Sequence, residues 1–366
     1  MKTILILGGY GATGRSLTKH LLAQTNYHVV IAGRNLEEAR AFAVSLDNSR
    51  VTAKCVDAAD PTSLKDGLKG ADFLLVAAPT THQTETVVCA ALEAGVDYLD
   101  VQYSDRKLEA LCAHEKEIQQ KGLCFVTEAG YHPGLPSAMI RYAASKLDCI
   151  ESARVACYLN MKDIPYTEAV DELMEAFIHY QAQVYKNGAW TRPGQWDMRK
   201  FDFGEEIGAR SCYSMFFEEL RCIPKMYPTL KEAGFYIAGS NLLADMIVTP
   251  IAMIGLRIAP RRGIRPLGKL MWWAMGRSKP PYRVVLKVEA TGQLDGRRVQ
   301  VDASIEHEDG YELTSIPVVA LLKQYDQGRK PGLHMMGHLA EPECLFKDMK
   351  TMGVRVGVEM NRSSES

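Results

Sequence analysis

The chain has 366 residues, a hydrophobic content of 47% and a formal net charge of −1 at pH 7. This length predicts two domains, and the hydrophobic content is high enough to fill sizeable cores. A nearly neutral chain is poorly suited to bulk binding of nucleic acid, so we expect a small-molecule substrate and no nucleic acid.

Nine cysteines are spread along the chain, and none of them forms a Cys-x-x-Cys pair. Their odd number and irregular spacing predict reduced thiols, no metal site and a cytoplasmic protein. The first apolar run covers only five residues, which is too short for a secretory signal, so we expect no signal peptide.

The first 35 residues contain the strongest pattern in the sequence. The apolar stretch Thr3–Leu7 precedes a glycine turn (residues 8–15), a helical pattern and a second apolar strand. This order is typical of the first half of a dinucleotide-binding fold. Gly9 and Gly11 would let backbone N–H groups approach a pyrophosphate, and Gly14 would let the helix pack close to the strand.

The end of the second strand indicates which nucleotide binds. An NAD site usually has Asp or Glu at this position, where it hydrogen-bonds the ribose 2′-hydroxyl. Here the sequence is Ala32-Gly33-Arg34-Asn35, and the first acid is Glu37. A guanidinium can form two hydrogen bonds to a 2′-phosphate, so Arg34 predicts NADP. The alternative is that Arg34 is an ordinary solvated residue before the next helix.

Strand and helix signals alternate up to about residue 127. Six short strands separated by helices predict a parallel sheet with right-handed crossovers. Ligands bind at the carboxyl ends of such strands. The segments that follow the strands should therefore lie around one crevice: the glycine turn, Arg34, Asp57, Ala77–Thr80, Asp100 and Glu128–His132.

Beyond residue 128 the pattern changes. Residues 168–185 are predicted to be helical, and the chain then becomes loop-rich through Trp190, Trp196 and Tyr213. Further on, two alternating stretches flank Asp295-Gly296, which is typical of an antiparallel hairpin.

These patterns predict an α/β protein with two domains. A Rossmann-type parallel sheet is expected over residues 1–130, followed by a second α+β domain with a mainly antiparallel sheet over 131–313. The C-terminal segment 314–366, with a helix and a short strand Val354–Val358, is expected to return to the first domain and complete it.

A basic, apolar segment covers residues 242–288. From Met246 to Val288 there is no Asp or Glu, whereas nine Lys and Arg residues occur together with Trp272 and Trp273. Its apolar run is too short and too interrupted to predict a membrane span. Two interpretations fit: residues 242–283 contact an anionic membrane peripherally, or they form a helical insertion over the substrate site or a dimer contact.

Taken together, these motifs resemble those of the saccharopine dehydrogenase-like (saccharopine reductase-type) NADP oxidoreductases. The resemblance covers the first 145 and the last 60 residues and is poor between 160 and 280. It rests on seven segments: Gly8–Arg15, Ala32–Asn35, Val56–Asp60, Ala78-Pro79, Tyr98–Asp100, Ala129–Gly134 and Gly310–Ser315.

The resemblance implies a homodimer with an inserted substrate domain, and hydride transfer between NADPH and a C=N or C=O carbon. It also implies that Gly8, Gly11, Ala12, Thr13 and Gly14 bind the pyrophosphate, Arg34 the 2′-phosphate, Asp57 and Ala58 the adenine side, and Ala78 and Pro79 the nicotinamide ribose. Gly9, Tyr10 and Asn35 belong to the same motifs and complete the predicted cofactor site.

Reduction of an imine or ketone also needs a proton donor near the nicotinamide. His132 is the first candidate because imidazole titrates near neutral pH. Tyr131 and Asp100 are the next candidates, with Tyr98 and Tyr103 as competitors. The alternatives are that His132 only bonds its neighbours in a turn and that Asp100 only bonds a helix N-terminus.

The sequence therefore predicts an NADP-dependent oxidoreductase that acts on the imine or carbonyl carbon of a small substrate, with amino-acid derivatives as one candidate class. Two other functions stay open. One is an NADP(H)-binding sensor or membrane-peripheral protein without turnover, and the other is a reductase of a more apolar, lipid-derived carbonyl compound.

Overall fold

The computed structural model describes residues 1–162, 165–178, 180–194, 198–239, 241 and 243–362. Trp196 and Leu242, which belong to predicted segments, lie outside the described residues, as does the end of the tail from residue 363. The chain folds into two compact units. The first contains Met1–Gly134 and Thr314–Met352, and the second contains Leu135–Leu313 and the residues from Gly353 on.

Sixteen strands occur in the described part of the chain. In chain order they are β1 Thr3–Leu7, β2 His28–Gly33, β3 Val51–Cys55, β4 Phe73–Val76, β5 Asp97–Asp100, β6 Cys124–Thr127, β7 Cys149–Asn160, β8 Val184–Lys186, β9 Ala189–Thr191, β10 Met198–Asp202, β11 Ala209–Met215, β12 Glu232–Ala238, β13 Arg283–Leu294, β14 Arg297–His307, β15 Gly332–Met335 and β16 Arg355–Arg362.

The α-helices of the same described ranges are α1 Ala12–Gln24, α2 Leu36–Ser45, α3 Pro61–Leu68, α4 Thr84–Ala94, α5 Asp105–Ala113, α6 Glu115–Gln120, α7 Leu135–Ala144, α8 Glu168–Phe177, α9 Ile223–Met226, α10 Thr249–Ile258, α11 Ile264–Met275, α12 Gly310–Gln327, α13 Met336–Leu339 and α14 Pro342–Thr351. A π-helical turn, Ala244–Val248, leads into α10.

The first unit is built on a seven-stranded sheet in the order β15-β6-β5-β4-β1-β2-β3. All its strand pairs are parallel. The strands read as short apolar runs because helices cover both faces of such a sheet. The predicted parallel sheet is therefore present, and β15 extends it at one edge.

The second unit is built on a mixed sheet whose main path is β10-β11-β12-β7-β13-β14-β16. Only the β12–β7 pair on this path is parallel. The predicted hairpin is confirmed, because β13 pairs with β14 in antiparallel register. Asp295 and Gly296 in its turn have φ angles of +52° and +72°, the left-handed values that such turns require.

Three sequence predictions differ from the structure. The last strand, β16, pairs with β14 of the second sheet, so it does not return to the first unit. Trp190 and Tyr213, predicted in loops, lie in β9 and β11. The helix predicted over 168–185 is shorter, because α8 ends at Phe177 and residues 184–186 form β8.

Candidate functional site

The glycine turn lies at the switch point of the parallel sheet. β1 pairs with β2 on one side and with β4 on the other, so the strand order reverses there. The Gly8 and Gly9 N–H groups donate to the Ala32 carbonyl at the end of β2, at 2.8 and 3.1 Å. In sheets of this kind a ligand binds outside the carboxyl ends of the strands at this point.

Two glycines of the turn are required by the fold itself. Gly8 has a φ of +83°, and a Cβ there would lie 2.7 Å from the Ala78 nitrogen. A Cβ on Gly14 would lie 2.3 Å from the Gly8 carbonyl oxygen. Because both would overlap backbone atoms, the turn and the start of α1 can pack this closely only with glycine.

Gly11 has no comparable reason within the protein. Its φ of −70° and ψ of 171° suit any residue, and among the described residues the one heavy atom within 4 Å of an added Cβ would be the Gly8 carbonyl oxygen, at 3.3 Å. Gly11 is also the N-cap of α1, which has no side-chain cap and no acid in its first turn. This position therefore offers both space and backbone N–H groups to an anion such as a pyrophosphate.

Side chains tie the glycine turn to the end of β2. Arg15 Nε donates to the Tyr10 carbonyl at 2.7 Å, and its guanidinium lies 4.3 Å from the Phe42 ring centroid. The Tyr10 hydroxyl accepts a hydrogen bond from the Asn35 N–H at 3.0 Å. A Cβ on Gly33 would lie 2.5 Å from the Tyr10 ring, so this glycine leaves room for the tyrosine.

The end of β2 separates the roles of Arg34 and Asn35. Asn35 caps α2, because its Oδ1 accepts hydrogen bonds from the N–H groups of Glu37 and Glu38 at 3.1 and 3.2 Å. The preceding Arg34 has an exposed side chain. Asn35 therefore has a structural task, whereas Arg34 stands at the surface where a 2′-phosphate would be recognised.

The residues predicted around the adenine and the nicotinamide ribose follow β3 and β4. Asp57 Oδ1 accepts a hydrogen bond from the N–H two residues on, at 2.9 Å, and holds the turn that contains Ala58. Ala78 and Pro79 are half-buried, and Ala78 lies against Gly8. The fold thus brings the predicted cofactor residues to one edge of the sheet, and their contact with NADP stays a prediction.

Asp100 ends β5 inside a buried network. Its carboxylate accepts hydrogen bonds from the hydroxyls of Tyr98 and Thr127, both at 2.9 Å, from the Gln102 N–H at 3.2 Å, and from the Lys107 ammonium. The Asp100 and Lys107 side chains are 0% and 1% exposed. Because four donors occupy this carboxylate, the geometry favours a positioning role for Asp100 over direct action on a substrate.

The same network links two segments of the sheet edge. Lys107 also donates to the Gln102 carbonyl, and the Gln102 amide donates to the Ala78 carbonyl. The Asp100 carbonyl accepts a hydrogen bond from the Ala129 N–H at 3.0 Å. The buried ion pair therefore holds both the segment after β4 and the start of the loop after β6.

That loop, residues 128–134, is called the linker loop below and carries the other two catalytic candidates. Glu128 has a φ of +53°, and the His132–Pro133 peptide bond is cis. The Tyr131 ring stacks on the His132 ring with centroids 3.9 Å apart. Burial lowers the pKa of His132 to about 4. The imidazole is therefore neutral at pH 7, which disfavours His132 as an imidazolium proton donor.

Comparison with known families agrees with this geometry. Residues 4–126 match the family model described as the saccharopine dehydrogenase NADP binding domain. The resemblance to saccharopine dehydrogenases is confirmed. The predicted NADP cofactor is confirmed by the same model, which covers the glycine turn, Arg34 and the strands that position them.

Two curated proteins are similar to this chain. Carboxyaminopropylagmatine dehydrogenase of Synechocystis sp. is 24% identical over an alignment of 267 positions, gaps included. This alignment covers 66% of this chain and 63% of that protein. Carboxynorspermidine synthase of Vibrio cholerae is 22% identical over an alignment of 405 positions, gaps included. This alignment covers 94% of this chain and 94% of that protein. The family model and the name of the first relative both describe dehydrogenases. This agrees with the prediction of an NADP-dependent oxidoreductase.

A solved structure shows the same fold. Apo saccharopine dehydrogenase (L-Glu forming) of Saccharomyces cerevisiae superposes with a TM-score of 0.70 at 16% identity, over 99% of this chain and 100% of that one. The predicted fold class, a Rossmann-type parallel sheet with a second α+β domain whose sheet is mainly antiparallel, is therefore confirmed, apart from the last strand, β16, which pairs in the second sheet.

Sequence reasoning about this site missed Lys107 and Gln102. The available signal was a lysine seven residues after an aspartate that ends a strand. Lys107 lies one turn before Leu111, and both are buried in α5. A lysine on the apolar face of a helix needs a buried partner, which points back to Asp100.

One cluster of side chains in the described residues could hold a metal ion. It consists of Glu85 and Cys89 of α4 together with His114, whose ligand atoms lie within 4.8 Å of one another. His114 Nε2 lies 2.8 Å from Glu85 Oε1, so the pair already forms a hydrogen bond. Burial and the Glu85 carboxylate raise the pKa of Cys89, which keeps the thiol protonated and disfavours metal binding.

Proposed function

We propose that the chain is an NADP-dependent dehydrogenase that transfers hydride between NADPH and the imine or carbonyl carbon of a small, amino-acid-derived substrate. The observation that carries the proposal is Gly11 at the N-terminus of α1, which has no side-chain cap. The fold itself does not require a glycine at this position, so the open space there suits a pyrophosphate. The exposed Arg34 at the end of β2 supports NADPH over NADH.

The names of the two curated relatives support an amine substrate. Both names describe an amine that carries a carboxyl group. We therefore favour a C=N carbon that joins an amine to a carboxylated fragment. In reduction, the hydride of NADPH adds to this carbon and a proton adds to the nitrogen, which gives a secondary amine and NADP⁺. Oxidation of the amine is the reverse step.

Within this proposal the linker loop contacts the substrate. A neutral imidazole can donate or accept a hydrogen bond, so His132 would orient the substrate without supplying a proton from an imidazolium. Tyr131, stacked on His132, would fix the plane of that ring. Asp100 would act indirectly by holding the loop at Ala129.

The experiment is NADPH binding followed by turnover. We expect calorimetry to show tighter binding of NADPH than of NADH. We also expect NADPH oxidation, followed by absorbance, only when an amine and an oxo acid or aldehyde are both present, and NADP⁺ reduction with carboxylated secondary amines. Failure of NADPH to bind would overturn the proposal.

A second candidate is an NADPH-binding protein without turnover. One observation favours it: the Asp100 carboxylate is occupied by four donors and His132 is neutral at pH 7, so neither Asp100 nor His132 holds a ready acidic proton. Tight NADPH binding without turnover over the whole panel of amines, oxo acids and aldehydes would select this candidate.

A further inference from the structure

The helices α10 and α11 of the second unit expose large apolar side chains in an unusual concentration. Those of α10 and the turn before it are between 49% and 79% exposed: Met246, Ile247, Ile251, Ile254 and Ile258. The four isoleucines are spaced by four, three and four residues, which puts them on one side of the helix. Exposed apolar groups that line up in this way mark an interaction surface.

The opposite side of α10 is packed in a small core. Val248, Ala252 and Leu256 lie there with Met271 and Ala274 of α11. These inward positions are enough to hold the helix pair in place. The exposed isoleucines are therefore not needed for this core, and substitutions at these positions should leave the fold intact.

The exposed side of α11 is basic and carries a tryptophan. Arg265, Lys269, Trp273 and Arg277 follow one another at four-residue steps and are all exposed. The Arg277 guanidinium lies 4.0 Å from the centroid of the Trp273 ring, which is 51% exposed. Leu270 adds a further exposed apolar group. An exposed tryptophan beside cations is typical of proteins that bind at a membrane interface.

The charges of the segment divide into two groups. Arg283 of β13 lies beside the carboxylates of Glu206 and Glu308, and Lys287 of the same strand lies beside the carboxylate of Glu289. Seven other basic residues lie on or beside α10 and α11. Over the ranges that the structure describes, none of the seven pairs with a carboxylate: Arg257, Arg261, Arg262, Arg265, Lys269, Arg277 and Lys279.

We propose that α10 and α11, with the residues around them from 246 to 279, form a peripheral docking surface for an anionic lipid bilayer, called the α10–α11 face. The isoleucines would enter the boundary between headgroups and acyl chains, Trp273 would lie at headgroup level, and the unpaired cations would contact lipid phosphates. Charge favours a bilayer over a second copy of the chain, because two copies would bring two basic surfaces together.

The contact is peripheral. No helix in the described part of the chain is long and apolar enough to cross a membrane. An anionic surface attracts each nearby Lys or Arg, so seven of them add a strong, salt-dependent attraction to apolar insertion.

The test is sedimentation of the full chain with vesicles of phosphatidylcholine, with and without phosphatidylglycerol, at low and high salt. We expect binding only to the anionic vesicles and release at high salt. The double variants Ile251→Ser/Ile254→Ser and Lys269→Glu/Arg277→Glu should each weaken binding by about tenfold or more. Arg297→Glu/Arg298→Glu, at the exposed start of β14, and Val44→Ser on α2 are matched controls that should bind normally.

Several results would overturn the proposal. It is overturned if the wild-type chain stays in the supernatant with anionic vesicles, or if the two α10–α11 variants bind as well as the controls. Sedimentation velocity without lipid tests for a dimer. If a dimer is detected, Ile251→Ser/Ile254→Ser dissociates it and vesicles fail to bind, the α10–α11 face is assigned to a contact with a second copy. NADPH affinity measured on the same variants should not change, which separates this proposal from the proposed function.

Discussion

The glycine turn and the linker loop both follow a strand of the same parallel sheet, and both are rich in glycine, yet they are built for different tasks. In the glycine turn, Gly11 has an ordinary φ, is exposed and meets little when a Cβ is added. In the linker loop, Gly134 has a φ of +117°, and a Cβ would lie 2.7 Å from the Gly130 carbonyl oxygen. The glycines of the linker loop thus serve the loop's own conformation.

This difference separates two ways in which a sheet edge binds a ligand. The glycine turn presents backbone N–H groups and open space, which suit a phosphate group. The linker loop presents the side chains of Tyr131 and His132, which suit the recognition of a substrate. Glycine content alone does not distinguish the two, whereas the surroundings of each missing Cβ do.

The largest expected effect concerns the ion pair that anchors the linker loop. Lys107→Met would leave the Asp100 carboxylate buried without its cation, so we expect a loss of about 3–5 kcal/mol in the free energy of unfolding. Urea denaturation measures it, and Lys116→Met, at an exposed position of α6, is the control. A loss no larger than that of the control would contradict the anchoring role.

The next effect is the pH dependence that His132 gives to stability. Its pKa is about 4 in the folded chain and about 6.5 when unfolded, so the unfolded state binds more protons between these values. Stability should therefore fall by about 3 kcal/mol as the pH drops from 6.5 to 4. Thermal unfolding across this range should show a flatter profile for His132→Gln than for His82→Gln, and equal profiles would refute the assignment.

A matched pair of substitutions tests the difference between the two kinds of glycine. Gly14→Ala places a Cβ on backbone atoms, so it should lower both stability, by about 1–3 kcal/mol, and NADPH affinity. Gly11→Ala should keep the melting temperature and weaken NADPH binding by about tenfold, or roughly 1.4 kcal/mol. Calorimetry and thermal unfolding measure both. Normal NADPH binding by Gly11→Ala would remove the basis of the proposed function.

The smallest expected effect is on nucleotide choice. Arg34→Ala should reduce the preference for NADPH over NADH by about tenfold, or roughly 1.4 kcal/mol, because the charge-assisted hydrogen bonds to the 2′-phosphate are lost. Arg40→Ala, at an exposed position of α2, is the control. Equal ratios for the two variants would show that another group recognises the phosphate.

The sequence by itself determined the features that depend on short stretches of chain. Glycine spacing, apolar runs of strand length and the Asp295-Gly296 turn predicted the parallel sheet, the glycine turn and the β13–β14 hairpin. These signals are local because backbone φ angles and strand periodicity act within a few residues. Short strands such as β9, which lack a clear alternation, gave no such signal.

Only the tertiary structure decided what depends on residues far apart in the sequence. The sequence of β16 alone did not specify which sheet it joins, and its pairing with β14 set its place in the second unit. Lys107 is buried only because the fold supplies Asp100, Gln102 and a helix face to surround it. Likewise, packing divided the apolar residues of α10 into an inner and an exposed set. Partner choice and burial are properties of the assembled chain, since they depend on which distant groups meet.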